Sequence, residues 1–387
     1  MNSIYADLIA RFPTSEALFT FLRSEEGGRL VIHDDHLTAD LPLTIIYYDK
    51  KVSDMKNPLA GAFRSVTWNA LTNRPVAAAP QRGLPLTLET ALPSAFTVEE
   101  FIDGVMINQW WNGEAWVTST RARLDAGGSY YGERPFAALF AETFTAAGLR
   151  AEDHLDKSVT YSWVLQHPEE RVVVAPPFGA AKLWLVERSR IDSAGIRTVI
   201  TDAVSGPLAA HLPTHYDDLR TVSDIQARVS STGRRLGAGW QGLVVKTATG
   251  ERYKLRSVQY NAARFLRGNQ PKRAYLWLER WTEGKLTAYL KQYPEEEHEA
   301  NATVQAFKAI TQEYHALYLQ VFKEHKMPLK EAPIKFRKLL WEGRQANIGT
   351  YFPNHRTFLN SQATARKLWL VNFEKRYPVA AAAAPTE

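Results

Sequence analysis

The sequence predicts an α+β fold, in which a domain built on antiparallel sheets precedes an all-α C-terminal domain. Two patterns support this prediction. Before about residue 258, short β-branched and aromatic runs are joined by turn residues, which is typical of hairpins. After that point, apolar residues recur with helical spacing. Hairpins followed by helices argue against a doubly wound parallel sheet.

Turn residues divide the N-terminal part of the chain into predicted elements. The strongest hairpin signal is Asn112-Gly113, which separates two strand-like runs. Ser15 is a candidate cap for a short helix near the N-terminus. In chain order, we predict a helix within residues 1–25, strands within 29–48 and 58–80, a hairpin at 105–119, a helix at 134–147, a hairpin at 160–175, a strand at 181–189, a helix at 216–228 and a hairpin at 243–255.

The C-terminal part predicts long helices at residues 272–290, 297–325 and 329–342. The alanine-rich end has low sequence complexity, which predicts a disordered tail. These patterns divide the chain into an N-terminal α/β part, a core, a basic helical domain and the tail. The corresponding ranges are residues 1–95, 96–267, 268–378 and 379–387.

Composition excludes several classes of protein. The chain contains no cysteine, so disulfides, thiolate metal sites and cysteine catalysis are excluded. Its apolar stretches are strand-sized, and it contains no segment with the pattern of a membrane span or a secretory signal.

One candidate metal cluster consists of the adjacent residues His33, Asp34, Asp35 and His36. Because these residues lie next to one another at a strand end, we interpret them as a polar turn and not as a metal site. We expect a cytoplasmic protein from a bacterial or phage-infected cell.

Positive charge is concentrated in the last third of the chain. Residues 252–376 contain 23 Lys and Arg against 11 Glu and no Asp, although the net charge of the whole chain is only +6. Basic residues interleaved with aromatic rings are typical of proteins that bind single-stranded nucleic acid. The alternative is a solvated helical surface above core aromatics. The interleaved aromatics are Tyr275, Trp277, Trp281, Tyr289, Trp341, Tyr351 and Trp369.

Four short motifs follow one another in a characteristic order. They are Phe101-Ile-Asp-Gly104, Thr118-Ser-Thr-Arg121, Trp240-Gln-Gly-Leu-Val-Val245 and Tyr253-Lys-Leu-Arg256. Together with Ala62-Phe-Arg-Ser65 upstream, they resemble the motifs of phage-type RNA ligases, the RNA ligase 1 branch of the covalent nucleotidyltransferases. The resemblance extends from residue 1 to about residue 378. It implies an ATP-grasp-like ligase domain with a nucleotidyltransferase core at residues 96–267.

The resemblance also identifies what is missing from the motifs. Such ligases attach AMP to a lysine two residues before the motif aspartate, and here that position is Phe101. No lysine lies between Lys56 and Lys157, and a phenyl ring cannot act as a nucleophile. The two carboxylates that help hold metal and ribose in the family correspond to Val164 and Gln241. We therefore predict a catalytically inactive pseudo-ligase.

The remaining motif positions predict a binding surface. We expect RNA or another single-stranded nucleic acid as the partner, with a protein partner as an open alternative. No cofactor is required, although binding of ATP or AMP with Mg²⁺ stays open. Two other functions stay open as well: an active ATP-dependent RNA ligase with a rewired site, and a phage-encoded structural or protein-recruiting module. The predicted nucleotide- and phosphate-binding residues are Arg64, Asp103, Gly104, Arg121, Lys246, Lys254 and Arg256.

Overall fold

Two units make up the chain, Met1–Arg264 and Phe265–Glu387. The boundary falls within one helix, Val258–Arg267, and the predicted boundary after residue 267 falls at the end of the same helix. The structure, a computed structural model, describes residues 3–34 and 42–377. The predicted tail and the second half of the predicted polar turn, Asp35 and His36, lie outside the described residues.

The first unit begins with two helices packed on a four-stranded antiparallel sheet of order β1-β2-β3-β4. Tyr5, Leu18 and Trp68 are fully buried in the core between them. The predicted cap at Ser15 is wrong, because Thr14 accepts the hydrogen bond from the Ala17 amide. The elements are α1 (Ile4–Arg11), α2 (Ser15–Arg23), β1 (Val31–Asp34), β2 (Leu43–Tyr47), α3 (Pro58–Ala62), β3 (Val66–Asn69) and β4 (Arg74–Ala78).

Two further sheets complete the unit, with orders β11-β10-β9-β7-β8 and β5-β13-β12-β6. Every pairing in them is antiparallel except the short parallel contact of β5 with β13. The strands are β5 (Leu84–Pro85), β6 (Phe96–Glu100), β7 (Val105–Trp111), β8 (Trp116–Ser119), β9 (Thr160–Gln166), β10 (Lys182–Ile191), β11 (Arg197–Val199), β12 (Gly242–Thr247) and β13 (Arg252–Arg256). The predicted α+β fold with antiparallel sheets is confirmed.

Two predicted elements of this unit are wrong. Residues 171–175 form no strand, and β9 pairs instead with β7 and β10. The amides of Val173 and Val174 donate to a distant aspartate, so they are not available to a hairpin. The predicted helix at 216–228 begins only at Val222, because Thr221 and Asp224 form a capping box. The helices are α4 (Phe136–Ala146), α5 (Ala151–His154), α6 (Val222–Leu236) and α7 (Val258–Arg267).

All regular elements among residues 265–377 are helical. Phe307, Tyr314 and Tyr318 of the long α10 form the centre of their core. Within the described residues, no helix has both the length and the apolar character needed to cross a membrane. The helices are α8 (Arg273–Thr282), α9 (Leu286–Gln292), α10 (Glu297–Phe322), α11 (Ile334–Gln345), α12 (Phe352–Asn360), α13 (Thr364–Val371) and α14 (Phe373–Arg376).

Candidate functional site

A cleft of about 190 Å³ in the first unit brings together residues from distant parts of the sequence. Its walls come from β6, β7, β9, β10, β12, β13 and α7, and from the loop between β6 and β7. We refer to it below as the arginine cleft, because Arg64, Arg252, Arg256 and Arg264 line it. Seven of the predicted site residues also line it, namely Arg64, Phe101, Asp103, Gly104, Val164, Gln241 and Arg256.

Phe101 lies at the start of the loop between β6 and β7. Its amide donates to the carbonyl of Gly242 at 2.9 Å, which fixes the loop against the start of β12. The guanidinium carbon of Arg256 lies 5.2 Å from the centre of the phenyl ring, within the range of a cation–π contact. The ring at the expected lysine position is therefore in contact with one of the cleft's cations.

Gly242 makes this arrangement possible. It has φ of 145°, and a Cβ there would lie 2.0 Å from the carbonyl oxygen of Leu255 on β13. A side chain at this position would push β12 and β13 apart, so only glycine allows the two strands to pair here. The glycine of the Trp240–Val245 motif therefore has a backbone role in this structure.

Asp103 joins three segments of the unit. One carboxylate oxygen accepts hydrogen bonds from the amides of Val173 and Val174, each at 2.9 Å. The other accepts from the Tyr260 hydroxyl of α7 at 2.6 Å. Burial, followed by the nearby Asp103 carboxylate, raises the pKa of Tyr260, so this hydroxyl stays a donor. Asp103 thus accepts three hydrogen bonds from the protein itself, which is a structural role.

Gly104 follows with a conformation that other residues rarely adopt. Its φ is 148°, and a Cβ would lie 2.5 Å from the carbonyl oxygen of Leu165 on β9. The chain therefore approaches β9 closely at this point, and glycine is required by the close contact as well as by the backbone angle.

Val164 lies in the middle of β9, in register with Met106 of β7 and Trp184 of β10. It is buried in an apolar cluster with Ile102 and Val186. The same residue lines the arginine cleft, so it contributes an apolar patch to the cleft wall. The position at which the resemblance implies a carboxylate is therefore occupied by an apolar side chain.

Three buried polar atoms of the cleft residues have no hydrogen-bond partner within the protein. They are the side-chain oxygen of Gln241 and the Nε atoms of Arg252 and Arg256. Buried polar groups are nearly always satisfied, by protein groups, water or a ligand. Since two of the three are guanidinium donors, an oxyanion is the ligand that fits them best.

Positive charges in and around the cleft repel one another. Burial lowers the pKa of Arg64 to about 10, and Arg252 adds to this effect. The pKa of Lys254 on β13 falls to about 7, through burial first and then through Arg256 and Arg64. For Arg64, burial and the neighbouring arginines outweigh Tyr48 and Glu187, which act to raise its pKa. A bound anion would relieve the repulsion.

Three predicted residues do not line the cleft. Lys246 forms an ion pair with Glu99 and donates to the carbonyl of Val186, and it lines a separate cavity of about 490 Å³. Arg121 is exposed and lies 5.6 Å from the ring of Tyr48. Lys254 lies on β13 between Arg252 and Arg256, both of which line the cleft.

Sequence reasoning missed Arg252 and Arg264. Alternate residues of a strand face the same side, so the pattern of Lys254 and Arg256 could have been extended backwards to Arg252. Arg264 donates to the Tyr260 hydroxyl at 3.2 Å. These residues are four apart on α7, a helical spacing that could have linked Arg264 to Tyr260, but no sequence signal linked Tyr260 to Asp103.

The carboxylates of the cleft do not fit a magnesium site. Asp103 accepts three hydrogen bonds from protein donors, and Glu99 is paired with Lys246. Burial raises the pKa of Glu100, against the effects of Thr214 and Lys182, which disfavours the ionised form that Mg²⁺ needs. No group of three or more metal-ligating side chains occurs among the described residues.

The helical unit exposes few of its interleaved aromatics. Trp277 and Tyr289 are buried, and Tyr275, Trp281 and Trp369 are partly buried against the core. The interpretation of Trp277 and Tyr289 as nucleic-acid platforms is therefore wrong. Trp341 and Tyr351 are 54% and 68% exposed. Trp341 shares α11 with the exposed Arg337, Lys338 and Arg344, so aromatic and positively charged groups occur together there.

Structural comparison finds ATP-dependent ligases at low similarity. One form of an archaeal ATP-dependent RNA ligase is 15% identical, with a TM-score of 0.43 over 80% of this chain and 82% of that chain. A second form is 14% identical, with a TM-score of 0.39 over 78% of each chain. A Naegleria gruberi RNA ligase is 13% identical, with a TM-score of 0.29 over 65% of this chain and 81% of that chain. No protein-family model and no curated protein matches the chain. These similarities establish neither a family nor an activity.

Proposed function

We propose that this chain is a degenerate relative of the phage-type RNA ligases that binds phosphate groups of single-stranded nucleic acid without forming a covalent adduct. The observation that carries the proposal is the composition of the arginine cleft. Four arginines line it, and none of the described residues that line it is a lysine. Phe101 lies at the position of the nucleophile, in contact with Arg256. The expected cytoplasmic location stays a prediction.

Charge and hydrogen bonding support an anionic ligand. Arg252 and Arg256 each carry a buried Nε without a partner in the protein, and the pKa of Arg64 is lowered to about 10. Guanidinium groups bind phosphate oxygens in paired, charge-assisted hydrogen bonds. A phosphate group would therefore satisfy the free donors and reduce the repulsion among the cations.

The size of the cleft supports a phosphate group over a whole nucleotide. Pockets that enclose complete small-molecule ligands measure about 300–1,000 Å³, whereas this one measures about 190 Å³. The ring of Phe101 and the apolar cluster around Val164 reduce the space next to the arginines. We therefore infer that the cleft takes one phosphate of a strand and that the adjoining nucleotides lie outside it.

Binding across a salt series tests this proposal. We expect a 5′-labelled single-stranded RNA to bind at low salt, with a logarithmic salt slope that reflects the phosphates contacted. The double variant Lys254→Ala/Arg256→Ala should reduce the magnitude of that slope by about 0.7, since the cleft takes one phosphate and each phosphate contact on a single strand contributes about 0.7.

The control variant Arg23→Ala/Arg234→Ala removes two exposed charges of the same unit and should leave the slope nearly unchanged. Equal slopes for the cleft variant and the wild type, with both proteins folded by circular dichroism, would contradict the proposal. Absence of RNA binding at low salt would favour the structural or protein-recruiting module instead.

Lys254 favours a second candidate function, an active ligase with a rewired nucleophile. Its pKa of about 7 would leave much of the amine neutral and nucleophilic at neutral pH. In that reaction, the Lys254 Nζ would attack the α-phosphorus of ATP, form a phosphorus–nitrogen bond, release pyrophosphate and lose one proton to solvent. Lys254 is not among the residues that line the cleft, so we favour the binding function.

A further inference from the structure

A groove of about 510 Å³ lies within the helical unit, between α10 and α12. Lys308, Thr311 and Gln312 form one wall, with the spacing of residues on a single helical face. Trp281, from the last turn of α8, also lines the groove. From α12, it is lined by Phe352, Arg356, Thr357 and Asn360. We refer to it below as the α10–α12 groove.

The charges of this groove all have one sign. Lys308 and Arg356 line it from opposite walls, and no Asp or Glu is among the described residues that line it. The nearest acidic residue along α10, Glu313, instead pairs with Lys335 at 2.9 Å. Lys308 and Arg356 are exposed. Two cations with no carboxylate among the described lining residues favour an anionic ligand. Phosphate fits, because its oxygens can accept hydrogen bonds from both side chains at once.

The rest of the lining suits a planar, polar ring. Trp281 and Phe352 supply partly buried aromatic surface, against which a base can stack. The side-chain oxygen of Asn360 is buried and has no hydrogen-bond partner within the protein. The Thr311 hydroxyl donates to Phe307 and can still accept. Gln312 adds a second primary amide, and such amides offer both a donor and an acceptor to a base edge.

We propose that the α10–α12 groove is a second binding site, which takes a nucleoside monophosphate unit with its phosphate between Lys308 and Arg356. Its volume falls in the range of pockets that enclose a whole small ligand, unlike the arginine cleft. The same unit occurs as a free mononucleotide and as the phosphorylated end of a strand. This site uses no residue of the arginine cleft, and the proposal does not depend on that cleft's function.

Equilibrium dialysis of the full chain against labelled AMP tests the site, with adenosine and inorganic phosphate as competitors. The variant Lys308→Ala/Arg356→Ala should weaken AMP binding by at least about tenfold, because it removes both charge-assisted contacts. The matched control Lys291→Ala/Lys330→Ala removes two exposed lysines of the same unit outside the groove and should bind AMP like the wild type. Excess unlabelled AMP should compete better than adenosine or inorganic phosphate. Adenosine lacks the contacts of the phosphate with Lys308 and Arg356, and inorganic phosphate lacks the contacts of the base.

Oligonucleotides with and without a 5′-phosphate identify the source of the ligand. Stronger binding of the phosphorylated strand than of AMP, lost in Lys308→Ala/Arg356→Ala, would assign the site to strand ends. Stronger binding of AMP would assign it to free mononucleotide. Equal affinity of the groove variant and the wild type for both ligands would overturn the proposal. The cleft variant Lys254→Ala/Arg256→Ala should leave AMP binding at the groove intact, so a failure here is distinguishable from a failure of the proposed function.

Discussion

Replacement of Asp103 by alanine should destabilise the first unit far more than replacement of an exposed aspartate. The substitution leaves the amides of Val173 and Val174 and the hydroxyl of Tyr260 without their acceptor. Each buried donor left unsatisfied costs about 1–3 kcal/mol. The neighbouring backbone can relax in part, so we expect a total loss of about 3–5 kcal/mol in the free energy of unfolding.

Urea unfolding at pH 7, followed by circular dichroism, measures this difference. The matched control is Asp218→Ala, whose carboxylate is 62% exposed and pairs with Arg228, so its loss should cost less than about 1 kcal/mol. The loss in the free energy of unfolding for Asp103→Asn should lie between those of Asp103→Ala and Asp218→Ala, because the amide keeps one acceptor oxygen. A loss below about 1 kcal/mol for Asp103→Ala would refute the structural role assigned to this motif residue.

Three further outcomes follow from particular residues. Val164→Ala should lower the free energy of unfolding by about 1–3 kcal/mol in urea, because it leaves a cavity in the apolar cluster of Ile102 and Val186; a near-neutral effect would show that the cluster repacks. Lys254→Met should stabilise the protein at pH 6, with a gain that shrinks as pH rises from 7 towards 10.5. The folded-state pKa of about 7 lies below the ordinary 10.5, so the cost of folding a protonated Lys254 is full below pH 7 and declines above it. The whole pKa shift corresponds to a gain in the free energy of unfolding of ~5 kcal/mol, and partial solvent exposure reduces this gain to about 1–2 kcal/mol. Unfolding curves in which the gain from Lys254→Met grows with pH would contradict the prediction. Trp341→Ala/Tyr351→Ala should weaken single-stranded RNA binding at least about tenfold, since each stacked base contributes about 1–3 kcal/mol. The melting temperature of this variant should stay near that of the wild type, because both rings are exposed. Unchanged affinity in filter binding would exclude these rings as platforms.

Local signals in the sequence were sufficient for much of the fold. The hairpin around Asn112-Gly113 and the hairpin of β12 with β13 both occur as predicted, because turn residues and strand-like runs are neighbours in sequence. The pairing of Val173 and Val174 with Asp103 spans about 70 residues, and no local pattern encodes it. The predicted hairpin at 160–175 is wrong for that reason.

The candidate site shows the same division between local and distant information. Motif order selected Phe101, Val164 and Gln241, which all line the arginine cleft. Charge alone did not distinguish Lys246, which is paired with Glu99, from Arg256, whose Nε has no partner in the protein. That distinction depends on which carboxylate folds next to each cation. The α10–α12 groove could not be predicted from the sequence either, because Lys308 and Arg356 lie on separate helices and no local pattern encodes how these helices pack.

Incubation of the purified chain with α-³²P-labelled ATP and magnesium, followed by a denaturing gel, tests the central claim most directly. An authentic ATP-dependent RNA ligase treated in parallel serves as the positive control, and Lys254→Arg identifies the rewired nucleophile if one exists. With Phe101 at the lysine position and no lysine among the described residues lining the arginine cleft, we predict no label on the denatured protein. Radiolabel that survives denaturation in the wild type would contradict this account, and its loss in Lys254→Arg would assign the adduct to Lys254.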